Sequence, residues 1–411
     1  MTITRLLPRL AMMAIAGLAS PGEAQTRTAP ESETLKASAP TLVWERVIDV
    51  EPMGEPRSDE LRYWHGPLGT LRGLTARPDG GALFVAHAAN GEAARLVAID
   101  GAGKDVFRHP LTPPAGRPKP GLFAATINGE AADKAWLLST WSSLGAGDRP
   151  PVTELLAVDA TGRAIQTRGL PPAIGRMKPA DIARKATVLR RLKDGSLVAG
   201  GTAWHAPPVW WYARFTTTGN LLHEAVSAKF PDHVVDARGN EDGGYSLLMV
   251  DAGGGRETAT IRRHGADGKL LARNAFDDVL ALGCAVLVGP TLQLRVADAA
   301  ERSPGAAPGN ALVLHDVDRA VRRRVDLGTL RCTSLARAGD ALVMVAEPAV
   351  ETTPPTRIVV GFASTGEPRW RLDPAGEDVV VAPLADGGAL VARVDKAGDK
   401  PVVKLARYRS P

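Results

Sequence analysis

The sequence predicts an all-β fold, a seven-bladed β-propeller of four-stranded antiparallel blades, on three observations. The 411-residue chain carries 43 glycines and 32 prolines with no long stretch of helical periodicity, the composition of many short strands joined by tight turns. Asp-Gly pairs recur between apolar segments, and Asp-Gly supplies the positive φ that a tight hairpin needs. The whole pattern returns with a period of about 45 to 55 residues, within the range in which a repeat signals a solenoid or a propeller. Hydrophobic residues make up 44% of the chain, ample for a buried core.

In chain order, residues 1–24 read as a secretory leader. Arg5 and Arg9 precede an apolar run from Leu10 to Ala19, and small residues follow as far as Ala24, the layout of a cleaved signal. The run is too short for a spanning helix, and no later stretch approaches the roughly 18 to 20 apolar residues a span needs. No cysteine stands near the cleavage point, so no lipid anchor is expected. The polar stretch 25–40 reads as a flexible linker, and the propeller as residues 41–411. The expected protein is a monomer in a periplasm or outside the cell, with no membrane span.

Each repeat has four parts. A first strand ends in a turn, clearest at Asp79-Gly80, Asp194-Gly195, Asp242-Gly243 and Asp386-Gly387. A strongly apolar second strand follows, as in ALFVAH, YSLLMV and ALVARV. After a variable loop comes a third strand, then a second turn at Gly162, Gly219, Gly268 or Gly366, then a shorter, more polar fourth strand. Apolar inner strands and a polar outer one describe a propeller blade. The blades fall at residues 68–113, 120–171, 182–230, 232–276, 279–328, 329–375 and 376–411. The seventh is one strand short, which would leave an open edge. The segment TLVWERVIDV, residues 41–50, alternates Leu42, Trp44, Val47 and Val50 with polar or charged neighbours, as an outermost strand does. It is expected to complete the last blade and close the ring.

On this period and turn chemistry, residues 41–411 resemble the seven-bladed propellers of the WD40-like and quinoprotein-like superfamily in their secreted bacterial versions. The Gly-His and Trp-Asp dipeptides of WD40 repeats are absent. A quinone-cofactor repeat ends in Thr-Gly followed by a Trp, and one blade, with Thr365-Gly366 and Trp370, has that pattern. No cofactor is expected.

The formal net charge is +5, and loss of the leader, with Arg5, Arg9 and Glu23, lowers it by one. The basic run Arg322-Arg323-Arg324 alternates into Val325 and Leu327, which fits a solvated strand edge, and no nucleic-acid partner is expected. There is no nucleophile elbow, phosphate-binding glycine loop or His-Glu-x-x-His. Asp236, Asn240 and Asp242 are spaced somewhat like cation ligands, but the loop has too few carboxylates for a calcium site, and a hairpin turn explains the Asp-Gly better. The eight histidines are scattered, none at zinc-ligand spacing, so no metal is expected.

Long loops concentrate on one face, between second and third strands and between blades: residues 52–67, 142–152, 171–183, 203–208, 298–309 and 347–356. Long loops on a rigid scaffold commonly carry binding residues. Trp136 and Trp211 are assigned to the space between blades. Trp64, His65, Trp141, Trp204 and His205 stand at or near long loops and are the binding candidates, with packing beneath the loops as the alternative. The expected function is non-catalytic binding of a protein or carbohydrate through the long-loop face. The alternative is a glycan- or lactone-acting hydrolase or lyase with its acid and base at the mouth of the central channel, so whether the chain is an enzyme stays open. Aligning the first strands of blades five and six puts Cys284 and Cys332 at the same position, which makes them a disulfide candidate in an oxidising compartment; two buried thiols are the alternative.

Overall fold

The structure, a computed structural model, describes residues 37–48, 71–87, 94–112, 120–143, 151–171, 183–204, 209–226, 232–251, 258–276, 284–288, 293–299, 310–316, 321–328, 330–348, 356–376, 378–397 and 400–411. The expected leader, most of the expected linker and most of each long loop lie outside these residues.

The described strands pair into seven four-stranded antiparallel sheets. Strand β1 (Thr41–Ile48) belongs to the last of them. The first sheet is β2 (Leu71–Ala76), β3 (Ala82–His87), β4 (Ala94–Ile99) and β5 (Asp105–Leu111). The second is β6 (Pro120–Asn128), β7 (Lys134–Ser143), β8 (Val152–Asp159) and β9 (Ala164–Gly169). The third is β10 (Ala183–Arg191), β11 (Leu197–Trp204), β12 (Val209–Phe215) and β13 (Leu221–Val226), and the fourth is β14 (Asp232–Gly239), β15 (Tyr245–Asp251), β16 (Thr258–His264) and β17 (Leu270–Phe276). The fifth is β18 (Ala285–Val288), β19 (Gln293–Ala299), β20 (Asn310–Asp316) and β21 (Val321–Gly328), and the sixth is β22 (Leu330–Ala338), β23 (Ala341–Pro348), β24 (Arg357–Ala363) and β25 (Pro368–Gly376). The last runs β26 (Val379–Pro383), β27 (Ala389–Ala397), β28 (Lys400–Arg409) and then β1, which pairs antiparallel with β28 from Thr41 opposite Arg409 to Ile48 opposite Val403. The fold is an all-β propeller with four-stranded antiparallel blades.

The turns form for the reason the sequence implies. Asp79 Oδ1 accepts the Gly81 amide at 2.9 Å while Gly80 sits at φ 76°, and Asp386 and Gly387 repeat this with φ 86°. Each aspartate caps its own turn. The second strand β3 is buried throughout, whereas β9 and β17 are largely exposed. The core therefore lies between sheets. One cluster joins Trp136, Leu138 and Leu155 of the second sheet to Leu197, Trp211 and Phe215 of the third. Another joins Ile48, Leu390 and Leu405 of the last sheet to Leu71 and Phe84 of the first. First strands of successive sheets touch one another, and β26 touches β2.

The outer strand of every sheet carries a β-bulge just beyond the turn that precedes it in the first six sheets. In β1 the register shifts between Leu42 and Trp44. Upstream of β1, part of the expected linker is held: Ser38 bridges to Trp370, and the Arg371 amide donates to the Ser38 carbonyl at 2.9 Å. Cys284, just before β18, and Cys332 in β22 are disulfide-bonded, with 6.2 Å between their Cα atoms. Among the described residues no helix is long and apolar enough to cross a membrane.

Candidate functional site

First strands and the turns after them frame an opening of about 510 Å³, lined from the first, second, third, sixth and last sheets. Its charged residues are Arg77, Asp79, Glu130, Arg190, Arg337, Asp386 and Arg407. They are placed by strand ends: Arg77 follows β2, Arg190 is next to last in β10, and Arg337 is next to last in β22. The 1–2 turns sit on the same side as the 3–4 turns, since Arg407 Nη1 at the opening donates to the Gly101 carbonyl of the β4–β5 turn at 2.9 Å. The opening is thus on the short-turn face.

Behind it, Asp236 is almost wholly buried. A bulge in β14 between Val234 and Asp236 re-aims this residue. Its carboxylate accepts the Ala237 and Leu287 amides, each at 2.9 Å, and Arg337 Nε at 3.2 Å. Arg190 Nε lies 3.6 Å from Asp236 Oδ1, is buried, and has no hydrogen-bond partner. One carboxylate thus holds elements of the third, fifth and sixth sheets to the fourth. Burial and the nearby Arg337 guanidinium push Arg238 below its usual range. At the rim, Arg77 pairs with Asp79 at 3.4 Å, Arg190 with Glu130 at 3.7 Å and Arg407 with Asp386 at 3.2 Å. Thr126 Oγ1 donates to the Ala186 carbonyl at 2.6 Å, stitching β6 to β10. The arrangement presents donors and acceptors in pairs, chemistry suited to holding a polar ligand, and each carboxylate at the opening is engaged by a guanidinium.

A second cluster lies between the third and fourth sheets. Tyr245 and His264 stack with centroids 4.9 Å apart, Tyr212 lies 5.2 Å from His264, and His223 Nε2 is 3.3 Å from the Tyr212 hydroxyl. Burial pushes the Tyr245 phenol far up and the His264 imidazole down. Arg214 stands over Tyr245 and Arg262 over Trp210. Nearby, Arg184 and Glu224 form a buried ion pair at 3.0 Å; burial pushes the Glu224 carboxyl up, and the Arg184 charge opposes it.

Of the binding candidates from the sequence, the side chain of Trp141 alone lies among those described. Trp141 is 1% exposed and packs with Leu83, Val85, Leu96 and Leu137 between the first two sheets. That corrects its assignment as a binding anchor: its large ring fills the inter-sheet core. Trp204 is the last residue of β11, opposite Ala183. Trp64, His65 and His205 lie outside the described residues. Trp136 and Trp211 fill the inter-sheet core as expected. Asp242 caps its turn through the Gly244 amide at 3.0 Å and pairs with Arg263 at 2.6 Å, the role expected of a turn residue. Arg77, Arg190 and Arg337 at the opening were not singled out from the sequence, although an arginine within a few residues of a first-strand turn recurs there, and Asp236 was weighed only as a cation ligand.

No family model and no curated protein matches this chain. Solved structures do. The WD40 domain of Toxoplasma gondii coronin is 10% identical, with 91% of this chain and 89% of that one covered and a TM-score of 0.46. The polysaccharide lyase Uly1 is 11% identical, covers 89% and 94%, and has a TM-score of 0.43. Puromycin hydrolase is 17% identical with a TM-score of 0.43, over 78% of this chain. This chain spans about half of that hydrolase, 49%.

Proposed function

We propose that the protein is a non-catalytic binding propeller that works outside the cytoplasm and takes a protein or carbohydrate partner at the channel mouth of its short-turn face. In this reading the seven sheets are seven blades of one ring, closed where β1 completes the last blade. The observation that carries it is the opening of about 510 Å³ with its rim of Arg–carboxylate pairs, a size typical of ligand sites. Binding is preferred to catalysis because each carboxylate at the opening already faces a guanidinium, whereas acid–base work needs a group free to exchange its proton with a substrate. The Cys284–Cys332 bond supports an oxidising compartment. The shift from the long-loop face rests on Trp141, whose ring is not available to a partner.

The test is capture from the envelope of the source cell on the immobilised mature chain, followed by affinity measurement on the captured partner. Arg77→Ala with Glu130→Ala is expected to weaken binding about tenfold or more while the melting curve stays cooperative. Unchanged binding with a hydrogen-exchange footprint on the long-loop face would return the site to those loops. Release of a cleaved glycan or opened lactone by the wild-type chain would favour the hydrolase or lyase.

A further inference from the structure

The outer-strand bulges occupy one equivalent position in all seven sheets. The residue skipped by the register is Val43 in β1, Val106 in β5, Ile165 in β9, Leu222 in β13 and Leu271 in β17. These are five consecutive sheets when the last is followed by the first. All five side chains are aliphatic, and they are 38% to 59% exposed. In β21 and β25 the same position holds Arg322 and Arg369. In the first four sheets the aliphatic residue stands three after a positive-φ glycine, Gly103, Gly162, Gly219 or Gly268, so each lies at the margin of the short-turn face. A bulge leaves its extra residue out of the pairing and re-aims it, and outward aim explains why aliphatic side chains are exposed there.

The charge on these strands is one-sided. The seven outer strands hold nine arginines against five carboxylates. Glu45, Asp105, Glu224 and Asp373 are ion-paired within the chain, and Asp326 caps the Gly328 amide. In the turns leading to them, Asp100, Asp159 and Asp267 are matched by Lys104, Arg163 and Lys269, so the surplus lies on the strands. The exposed aliphatic side chains, these five together with Leu42, Val47, Leu221 and Leu270 on the same outer strands, are spread over five sheets, a distribution that does not fit a groove-bound peptide. It fits a broad surface that accepts single apolar side chains and attracts cations.

We propose that this margin docks the protein on a lipid bilayer with anionic headgroups, short-turn face towards the membrane. The aliphatic residues enter the headgroup boundary, and the outer-strand arginines supply the attraction, the two contributions that set interfacial binding. The channel mouth then opens towards the bilayer.

Co-sedimentation of the full mature chain with vesicles tests this. The chain should sediment with vesicles of phosphatidylcholine and phosphatidylglycerol in equal parts, not with phosphatidylcholine alone, and high salt should weaken the association. Ile165→Ser, Leu222→Ser and Leu271→Ser together should lower the partition coefficient about tenfold or more, with melting unchanged because the side chains are exposed. Arg77→Ala with Glu130→Ala should sediment as wild type, so failure of the channel-mouth reading leaves this result intact. No sedimentation with anionic vesicles, equal sedimentation with both kinds, or an unaffected triple variant would each overturn the proposal.

Discussion

Trp44 Nε1 donates to the carbonyl of Gly101 at 3.0 Å, tying the N-terminal strand of the last sheet to the turn of the first. Arg46 Nη1 adds a 2.8 Å bond to the Gly103 carbonyl and a 3.0 Å ion pair with Asp105. Gly103 is at φ 83°, and a Cβ there would stand 3.0 Å from the Trp44 ring. The turn glycine thus serves both the turn and the neighbouring strand.

Removal of residues 37–48 should therefore leave the β28 edge open and the Gly101–Gly103 turn undocked, giving a chain that aggregates or melts far lower. Trp44→Ala, which keeps the strand, should cost about 2 kcal/mol in urea unfolding. A truncated chain that melts like the full one would refute the role given to β1.

The disulfide closes 48 residues of sequence separation. In the chain-entropy account such a loop is worth about 4 kcal/mol. Cys284→Ser with Cys332→Ser should lower stability by roughly that amount, read from the urea midpoint at unchanged slope. Two free thiols in the protein isolated without reductant would remove the bond altogether.

The fold was legible because turn chemistry and strand parity are local. Asp79-Gly80 needs no partner to declare a hairpin, and the strand-like alternation of residues 41–50 points to an outer strand. The opening was not legible: Arg190 and Arg337 are far apart in sequence, and what joins them is Asp236 of the fourth sheet. Trp141 was misread although parity spoke against it. It shares a strand face with Leu137, and both pack against the first sheet, while Trp136 and Leu138 face the third.

Acid should weaken the seam between the third and fourth sheets. His264 is buried and pairs through Nδ1 with the Gly268 carbonyl at 3.1 Å. Burial first, then the Arg262 and His223 charges, hold its pKa below the ordinary 6.5. The unfolded chain therefore takes up this proton before the folded one, and stability falls as pH drops below about 6.5. Tyr212 and Tyr245 pack against the ring, and the Arg262 and His223 charges disfavour a further positive charge there. His264→Gln, whose amide can still donate to Gly268, should flatten the urea midpoint between about pH 7 and pH 5. Glu154, raised by burial, works the other way: its folded form holds a proton more readily, so it favours the fold as pH falls towards the ordinary carboxyl range. An identical slope in wild type and variant would show that His264 does not titrate as described.

Trp141 gives the sharpest separation between packing and binding. Its ring is 1% exposed, in contact with the apolar cluster that joins the first two sheets, and lies across from Leu122 in β6. Removing a buried Trp ring forfeits its transfer energy and leaves a cavity that two rigid sheets close poorly. Trp141→Ala should therefore cost about 3 to 5 kcal/mol, measured as a lower urea midpoint. Partner affinity, corrected for the folded fraction, should not change, because the ring contributes core rather than surface. Trp141→Phe refills most of the space and should recover more than half of the loss. A Trp141→Ala protein that melts like wild type but no longer captures its partner would reverse this assignment and put the ring back on the binding face.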